Sequence, residues 1–265
     1  MKIGFIGLGN MATAMIGGML EKGLVTSGDI IGSAKTTATI EKIMTRFNIT
    51  TVPENKKVAE QADVLFLAVK PIFLSEVIEE IKDVVRPETL IVSIAAGRTL
   101  AYLREAFGRP ELKLVRCMPN TPALVMEGCT GICAGADVTE EELERSVGLM
   151  EAFGKASVVP ERLMDVVVGV SGSSPAYVFM FIEAMADEAV AAGMPRKQAY
   201  EFAAQSVLGS AKMVLETGKH PGELKDMVCS PGGTTIEAVK VLEEKGFRAA
   251  VMDAMEACIE KSKNM

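Results

Sequence analysis

Gly7-Leu8-Gly9-Asn10-Met11-Ala12 decides how this chain folds, because it joins an apolar run at 2–7 to a helical pattern at 10–22. Small residues at this spacing, after a strand and before a helix, form the turn of a dinucleotide-binding βαβ unit. Gly7 permits the turn and Gly9 permits close approach of a pyrophosphate, while Ala12 lets helix and strand pack tightly. A tight turn with no ligand is the alternative reading.

Working outward, apolar runs at 29–33, 64–69, 90–94, 112–117 and 130–134 alternate with helical patterns at 37–47, 73–85, 99–107 and 139–153. This alternation predicts an α/β fold, a Rossmann-type doubly wound, mainly parallel sheet. Composition changes near Val159-Pro160, and strand signals stop there. Gly193, Gly218 and Gly246 are placed to end long helices, and Pro195, Pro221 and Pro231 to restart them. The expected organisation is a dinucleotide-binding domain over 1–160 and an all-helical domain over 161–265. The helical part carries enough apolar surface to bury some of it against another subunit.

The net charge of −7 argues against nucleic acid or an anionic membrane as general partner. Five cysteines make no disulfide framework, and Cys129 and Cys133 are too isolated from other ligands for zinc, so no metal is expected. Reduced thiols, and an opening strand interrupted by Asn10 before a signal-peptide core could form, point to the cytoplasm. Residues 166–182 lack charge but contain Gly169, Gly172, Pro175 and three serines, which favours a buried or interface helix pair over a membrane span.

The second strand ends in Ser33-Ala34-Lys35-Thr36, with no acidic residue to take a ribose 2′-hydroxyl. Hydroxyl and ammonium groups suit a 2′-phosphate, which favours NADPH, with NADH as the alternative; a solvated turn would leave the choice open. Lys70-Pro71 and Ala95-Ala96-Gly97 end two further strands, where ligands of open α/β sheets bind. Arg116 to Pro122, stiffened by two prolines, reads as a ligand-facing loop or a plain connector.

His220, the one histidine, precedes Pro221 in a connector, and no tyrosine has a lysine four positions on. Such a chain suits reduction of C=N better than C=O, since a protonated imine is already electrophilic and yields a neutral amine. Ser230-Pro231-Gly232-Gly233-Thr234-Thr235 opens a further helix. Its glycine pair exposes backbone N–H groups that suit a carboxylate. Thr234 and Glu237 also match a capping box, the plainer reading.

On Phe5 to Met11, Leu67 to Pro71, Arg116 to Pro122, Gly172 to Tyr177 and Leu224 to Thr235, the chain resembles the pyrroline-5-carboxylate reductase family over nearly its whole length. That resemblance implies reduction of Δ1-pyrroline-5-carboxylate to L-proline, the last step of proline biosynthesis. It also implies a helical dimerisation domain and homodimers gathered into decamers. Ile6, Gly7, Leu8, Gly9, Asn10, Met11, Ser33, Lys35, Asn55, Ala68, Val69, Lys70, Ala95, Ala96 and Gly97 are then expected to face the cofactor. Ser230, Gly232, Gly233, Thr234 and Thr235 are expected to hold the substrate, with its ring near Pro175 and with Glu161 near the ligand. The Thr235 hydroxyl is expected to bond the ring nitrogen as the catalytic group. Met227, where some relatives carry a polar residue, loses any side-chain contact, and Ser33-Ala34-Lys35 differs from several relatives. A β-hydroxyacid dehydrogenase would need a lysine on the helix after the Rossmann domain, yet none lies between Lys155 and Lys197. A non-catalytic cofactor-binding regulator would have no need of the substrate signature.

Overall fold

A computed structural model describes residues 1–264. The chain divides into two compact units, Met1–Ser173 with the stretch from Cys258, and Ser174–Ala257. The first is built on eight strands: β1 (Ile3–Ile6), β2 (Ile30–Ser33), β3 (Thr50–Val52), β4 (Val64–Leu67), β5 (Leu90–Ser93), β6 (Lys113–Met118), β7 (Gly128–Ala134) and β8 (Gly154–Val158). Their order is β3-β2-β1-β4-β5-β6-β7-β8. Every neighbouring pair is parallel except β6 with β7. The helices of this unit are α1 (Asn10–Glu21), α2 (Thr37–Phe47), α3 (Asn55–Gln61), α4 (Leu74–Ile81), α5 (Leu100–Phe107), α6 (Glu140–Glu151) and α7 (Met164–Val167). A π turn, Val168–Gly172, follows α7.

β1, β2, β4 and β5 are buried along their whole length, as continuous apolar strands covered on both faces must be. Alternation of side chains sends Phe5, Phe66, Met15, Ile16 and Phe153 into one core, and Ile6, Leu65, Leu67, Ile78 and Leu103 into the other. Phe5 and Phe66 are paired in register and stack with centroids 4.7 Å apart. A Cβ on Gly18 would stand 2.8 Å from Phe153 Cβ, so α1 lies too close to its neighbours for a larger residue.

Three short elements depart from the expected pattern. β3 and β8 carry half-exposed or exposed residues rather than an apolar run, and α3 is only two turns long. The helix expected over 73–85 is a 3₁₀ turn, Pro71–Phe73, followed by the shorter α4.

Asp63 ties the sheet's entry edge together. Its carboxylate accepts the Lys2 amide at 2.7 Å and the Arg86 guanidinium at 2.8 Å. Those two bonds, the Lys2 amide first, hold the carboxyl below the usual carboxylate range. A depressed folded pKa stabilises the fold at neutral pH, and that contribution is lost as pH falls through the folded value. Asp63→Asn should therefore lower the melting temperature near neutral pH, with the difference from the parent shrinking below about pH 4. Thermal melts across pH check this, and a difference independent of pH would contradict it.

The second unit is helical: α8 (Ser174–Ala191), α9 (Arg196–Thr217), α10 (Pro221–Val228), α11 (Thr234–Glu244) and most of α12 (Phe247–Lys263). α8, α9 and α11 end just before Gly193, Gly218 and Gly246 as expected. Pro221 opens α10 at its first position, behind His220, whose Nδ1 accepts the Gly222 amide at 3.0 Å. Pro195 instead occupies the N-cap of α9, and Pro231 sits in a turn before α11 rather than in its first turn.

Few side chains of this unit are buried, while Phe179, Met180, Phe202, Leu215 and Met252 are each more than half exposed. Apolar surface of this extent on a small helical unit calls for a partner. Among the described residues, 161–191 is a helical stretch long and apolar enough to cross a membrane by length and composition alone. It contains the π turn, where the Ser171 hydroxyl bonds the Val167 carbonyl at 3.0 Å.

Candidate active site

The first unit carries a cleft of about 620 Å³ along the carboxyl ends of β1, β2 and β4. Gly7 builds its floor, with φ of +97° and a Cβ position only 2.6 Å from the Ala68 carbonyl oxygen. An L side chain is excluded there by both conformation and space. Gly7 N–H donates to the Ser33 carbonyl at 2.9 Å and Ala68 N–H to the Ile6 carbonyl at 2.8 Å, stitching β2, β1 and β4 into one rim.

Gly9 is the N-cap of α1 and contributes no side chain to that helix end. Beyond its own chain neighbours no atom lies within 4 Å of where its Cβ would be, and no side chain caps the first turn. This combination, a positive helix end behind a bare glycine, is a seat for a phosphate anion.

Lys35 and Lys42 also line the cleft, and the Lys35 ammonium lies 5.5 Å from the Phe73 ring centroid. Ser33 is fully buried, and its hydroxyl donates to Asn55 Oδ1 at 2.7 Å. Asn55 Nδ2 donates in turn to Glu80 Oε2 at 2.7 Å. The Ser33 hydroxyl, expected to face a 2′-phosphate, is thus committed to Asn55.

In the helical unit, Ser230 to Thr235 forms a second uncapped helix start. Gly232 takes a left-handed φ of +68°, and the Gly233 amide bonds the Ser230 carbonyl at 3.0 Å. Gly233 is the N-cap of α11, without a side-chain hydrogen bond. Thr234 is therefore the first helical residue, and the Thr234–Glu237 capping box suggested by the sequence does not form. A Cβ on Gly233 would come within 2.4 Å of Ser230 Oγ, which would have to rotate away, and 3.1 Å from the Ser230 carbonyl oxygen, so a larger residue disturbs the turn. The first turn of α11 thus has no side-chain cap on its N–H groups.

Two family models match the chain. One, described as pyrroline-5-carboxylate reductase dimerisation, covers residues 161–265; the other, NADP oxidoreductase coenzyme F420-dependent, covers 2–97. The pyrroline-5-carboxylate reductase of Escherichia coli (strain K12) is 54% identical over 264 residues, covering 100% of this chain and 98% of its relative. The chain belongs to the pyrroline-5-carboxylate reductase family. A solved pyrroline-5-carboxylate reductase from Coxiella burnetii superposes with a TM-score of 0.92 at 33% identity, covering 99% of this chain and 97% of the other. That of Plasmodium falciparum, solved with NADP bound, superposes with a TM-score of 0.89 at 31% identity, covering 99% and 97%. The fold is accordingly a Rossmann-type domain followed by a helical dimerisation domain, and the family's cofactor is a nicotinamide dinucleotide.

Of the family's expected cofactor residues, Gly7, Leu8, Gly9, Asn10, Ser33, Lys35, Asn55, Ala68, Val69 and Lys70 line the cleft. Ile6 is buried in β1, and Met11 packs against the core and is not part of the lining. Ala95, Ala96 and Gly97 follow β5, beside the carboxyl end of β4, and lie outside the cleft. Thr13, Thr39, Lys42, Phe73, Glu76 and Glu80 line it without having been singled out from the sequence. They sit within helices α1, α2 and α4 or at their edges, and only the sheet order shows which face of each helix meets the cleft.

Glu161 and Asn120, in the loop after β6, are tied to neighbouring elements. Glu161 Oε1 accepts the Leu100 amide at 2.7 Å, fixing the start of α5, and lies 3.5 Å from the buried Arg116 guanidinium. Asn120 donates to the Ser171 carbonyl at 2.9 Å and accepts the Cys129 amide at 2.8 Å. Through these bonds Asn120 braces the π turn against the start of β7.

Proposed function

We propose that this chain is a pyrroline-5-carboxylate reductase that uses NADPH to convert Δ1-pyrroline-5-carboxylate into L-proline. The observation that carries the reading is a pair of uncapped helix starts behind glycine turns, α1 in the cleft and α11 in the helical unit. The open Gly9 position and the glycine-only geometry at Gly7 fit a pyrophosphate. In this reading the rim of 68–70, with 95–97 beside it, takes the nicotinamide side, and Lys35 with Lys42 takes a 2′-phosphate. Bound there, the reduced cofactor supplies a hydride to the C=N carbon.

The α11 start holds the substrate carboxylate through the Gly232 and Thr234 amides, with Ser230 beside them and Gly233, whose own amide bonds the Ser230 carbonyl, shaping the turn. The half-buried Thr235 hydroxyl bonds the ring nitrogen and orients the imine, and Pro175 and Glu161 complete the substrate set by family correspondence. His220 is occupied as the cap of α10, which leaves the hydroxyl and amide donors to do the positioning. We read 161–265 as the dimerisation and substrate domain, matching the span of the family model. Its exposed apolar helices support a homodimer, which by family resemblance gathers into decamers. Five free thiols suit a cytoplasmic location.

Steady-state oxidation of NADPH with the imine, against a 3-hydroxy acid with oxidised cofactor, tests the reading. Turnover of the imine alone supports it, and turnover of the hydroxy acid alone replaces it with a dehydrogenase. Gly233→Val should raise the apparent KM for the imine by about tenfold or more, since it removes roughly 1.4 kcal/mol or more of anion binding. The KM for NADPH should stay unchanged, and an unchanged imine KM would remove the carboxylate seat.

A further inference from the structure

The dinucleotide fingerprint leaves unexplained why an acidic side chain from α4 is tied to the end of β2. Ser33 donates to Asn55 Oδ1 and Asn55 Nδ2 donates to Glu80 Oε2, each at 2.7 Å. A carboxylate can only accept hydrogen bonds, so Glu80 dictates which end of the Asn55 amide faces it. Oδ1 is then left to take the Ser33 proton. The end of the second strand is where Rossmann folds read the ribose 2′ position, usually with an acidic residue that β2 of this chain lacks. Here the negative charge arrives from the crossover helix α4, in the same cleft that Lys35 and Lys42 line.

We propose that Glu80 is a specificity-determining residue of the cofactor cleft. Its carboxylate, held against Asn55, opposes a 2′-phosphate and keeps the 2′-hydroxyl cofactor usable. A 2′-phosphate carries a charge of about −1.5 to −2 near neutral pH, and a carboxylate one amide away repels it. A 2′-hydroxyl is neutral and a donor, for which the second Glu80 oxygen is an acceptor. Lys35 and Lys42 pull the other way, so the preference between NADPH and NADH is a balance that Glu80 moderates. The inference rests on reading the cleft as the nicotinamide dinucleotide site.

Glu80→Gln tests it cleanly. The glutamine Oε1 can still accept from Asn55, so the variant removes the charge and leaves the amide orientation intact. Dissociation constants for NADPH and NADH, titrated by reduced-nicotinamide fluorescence, need no turnover. The ratio Kd(NADH)/Kd(NADPH) should rise by about tenfold in Glu80→Gln. Glu76→Gln, the same charge change one turn earlier in the same cleft, should move it less than about twofold. An unchanged ratio in Glu80→Gln, or an equal rise in both variants, would overturn the assignment. If the parent protein binds neither cofactor, the cleft reading falls and the assignment with it. If the ratio shifts as expected but the imine is not reduced, Glu80 keeps its role and only the imine reading fails.

Discussion

Thr235→Ala should lower kcat for the imine by about 10²-fold, the usual cost of losing one positioned donor at a reacting centre. Thr235 is the second residue of α11, and Gly233 caps that helix without a side chain, so the Thr235 hydroxyl has no structural duty at the helix start. Removing it should leave the helix intact, because alanine is a better helix former than threonine. The loss should therefore fall on turnover. Titration with NADPH should give the parent affinity, because the cleft is lined by residues of 7–80. Thr235→Ser, which keeps the hydroxyl, should recover most of the rate. Equal losses of turnover and NADPH affinity would contradict this division of roles.

Gly7→Ala should cut NADPH affinity by more than about tenfold and lower the melting temperature by about 5 °C. The left-handed φ of +97° alone costs an L residue roughly 1–2 kcal/mol. The added Cβ also meets the Ala68 carbonyl carbon and oxygen, backbone atoms that cannot swing aside as a side chain would. Relief requires β1 and β4 to part at the rim where the cofactor is to bind. Gly9→Ala provides the contrast, since its Cβ enters open space and Gly9 has a negative φ of −75°. It should weaken NADPH binding by crowding the pyrophosphate while leaving the melting temperature unchanged. Calorimetry and fluorescence titration on both variants check the pair, and an equal melting loss in both would contradict it.

The sequence made the buried strands legible because they are short, apolar on both faces and followed by amphipathic helices. β3 was hidden because Thr50-Thr51-Val52 is brief and half-exposed, and β8 because Lys155 and Ser157 interrupt its apolar residues at the sheet edge. The antiparallel turn from β6 to β7 has no local signature either, since register and direction are settled by neighbours. The glycine turns were readable as sites, as their residue types answer to backbone geometry. The side-chain relay from Ser33 through Asn55 to Glu80 was not, because it joins three separate elements. The Thr234–Glu237 pattern misled for a related reason: the preceding glycine claims the cap, and the threonine moves inside the helix.

The most direct measurement is hydride tracing with NADPH deuterated at the transferable C4 position and Δ1-pyrroline-5-carboxylate as acceptor. Proline should carry deuterium at C5, in an amount equal to the cofactor oxidised. Cofactor oxidation with unlabelled product, or no proline at all, would contradict the proposed reduction.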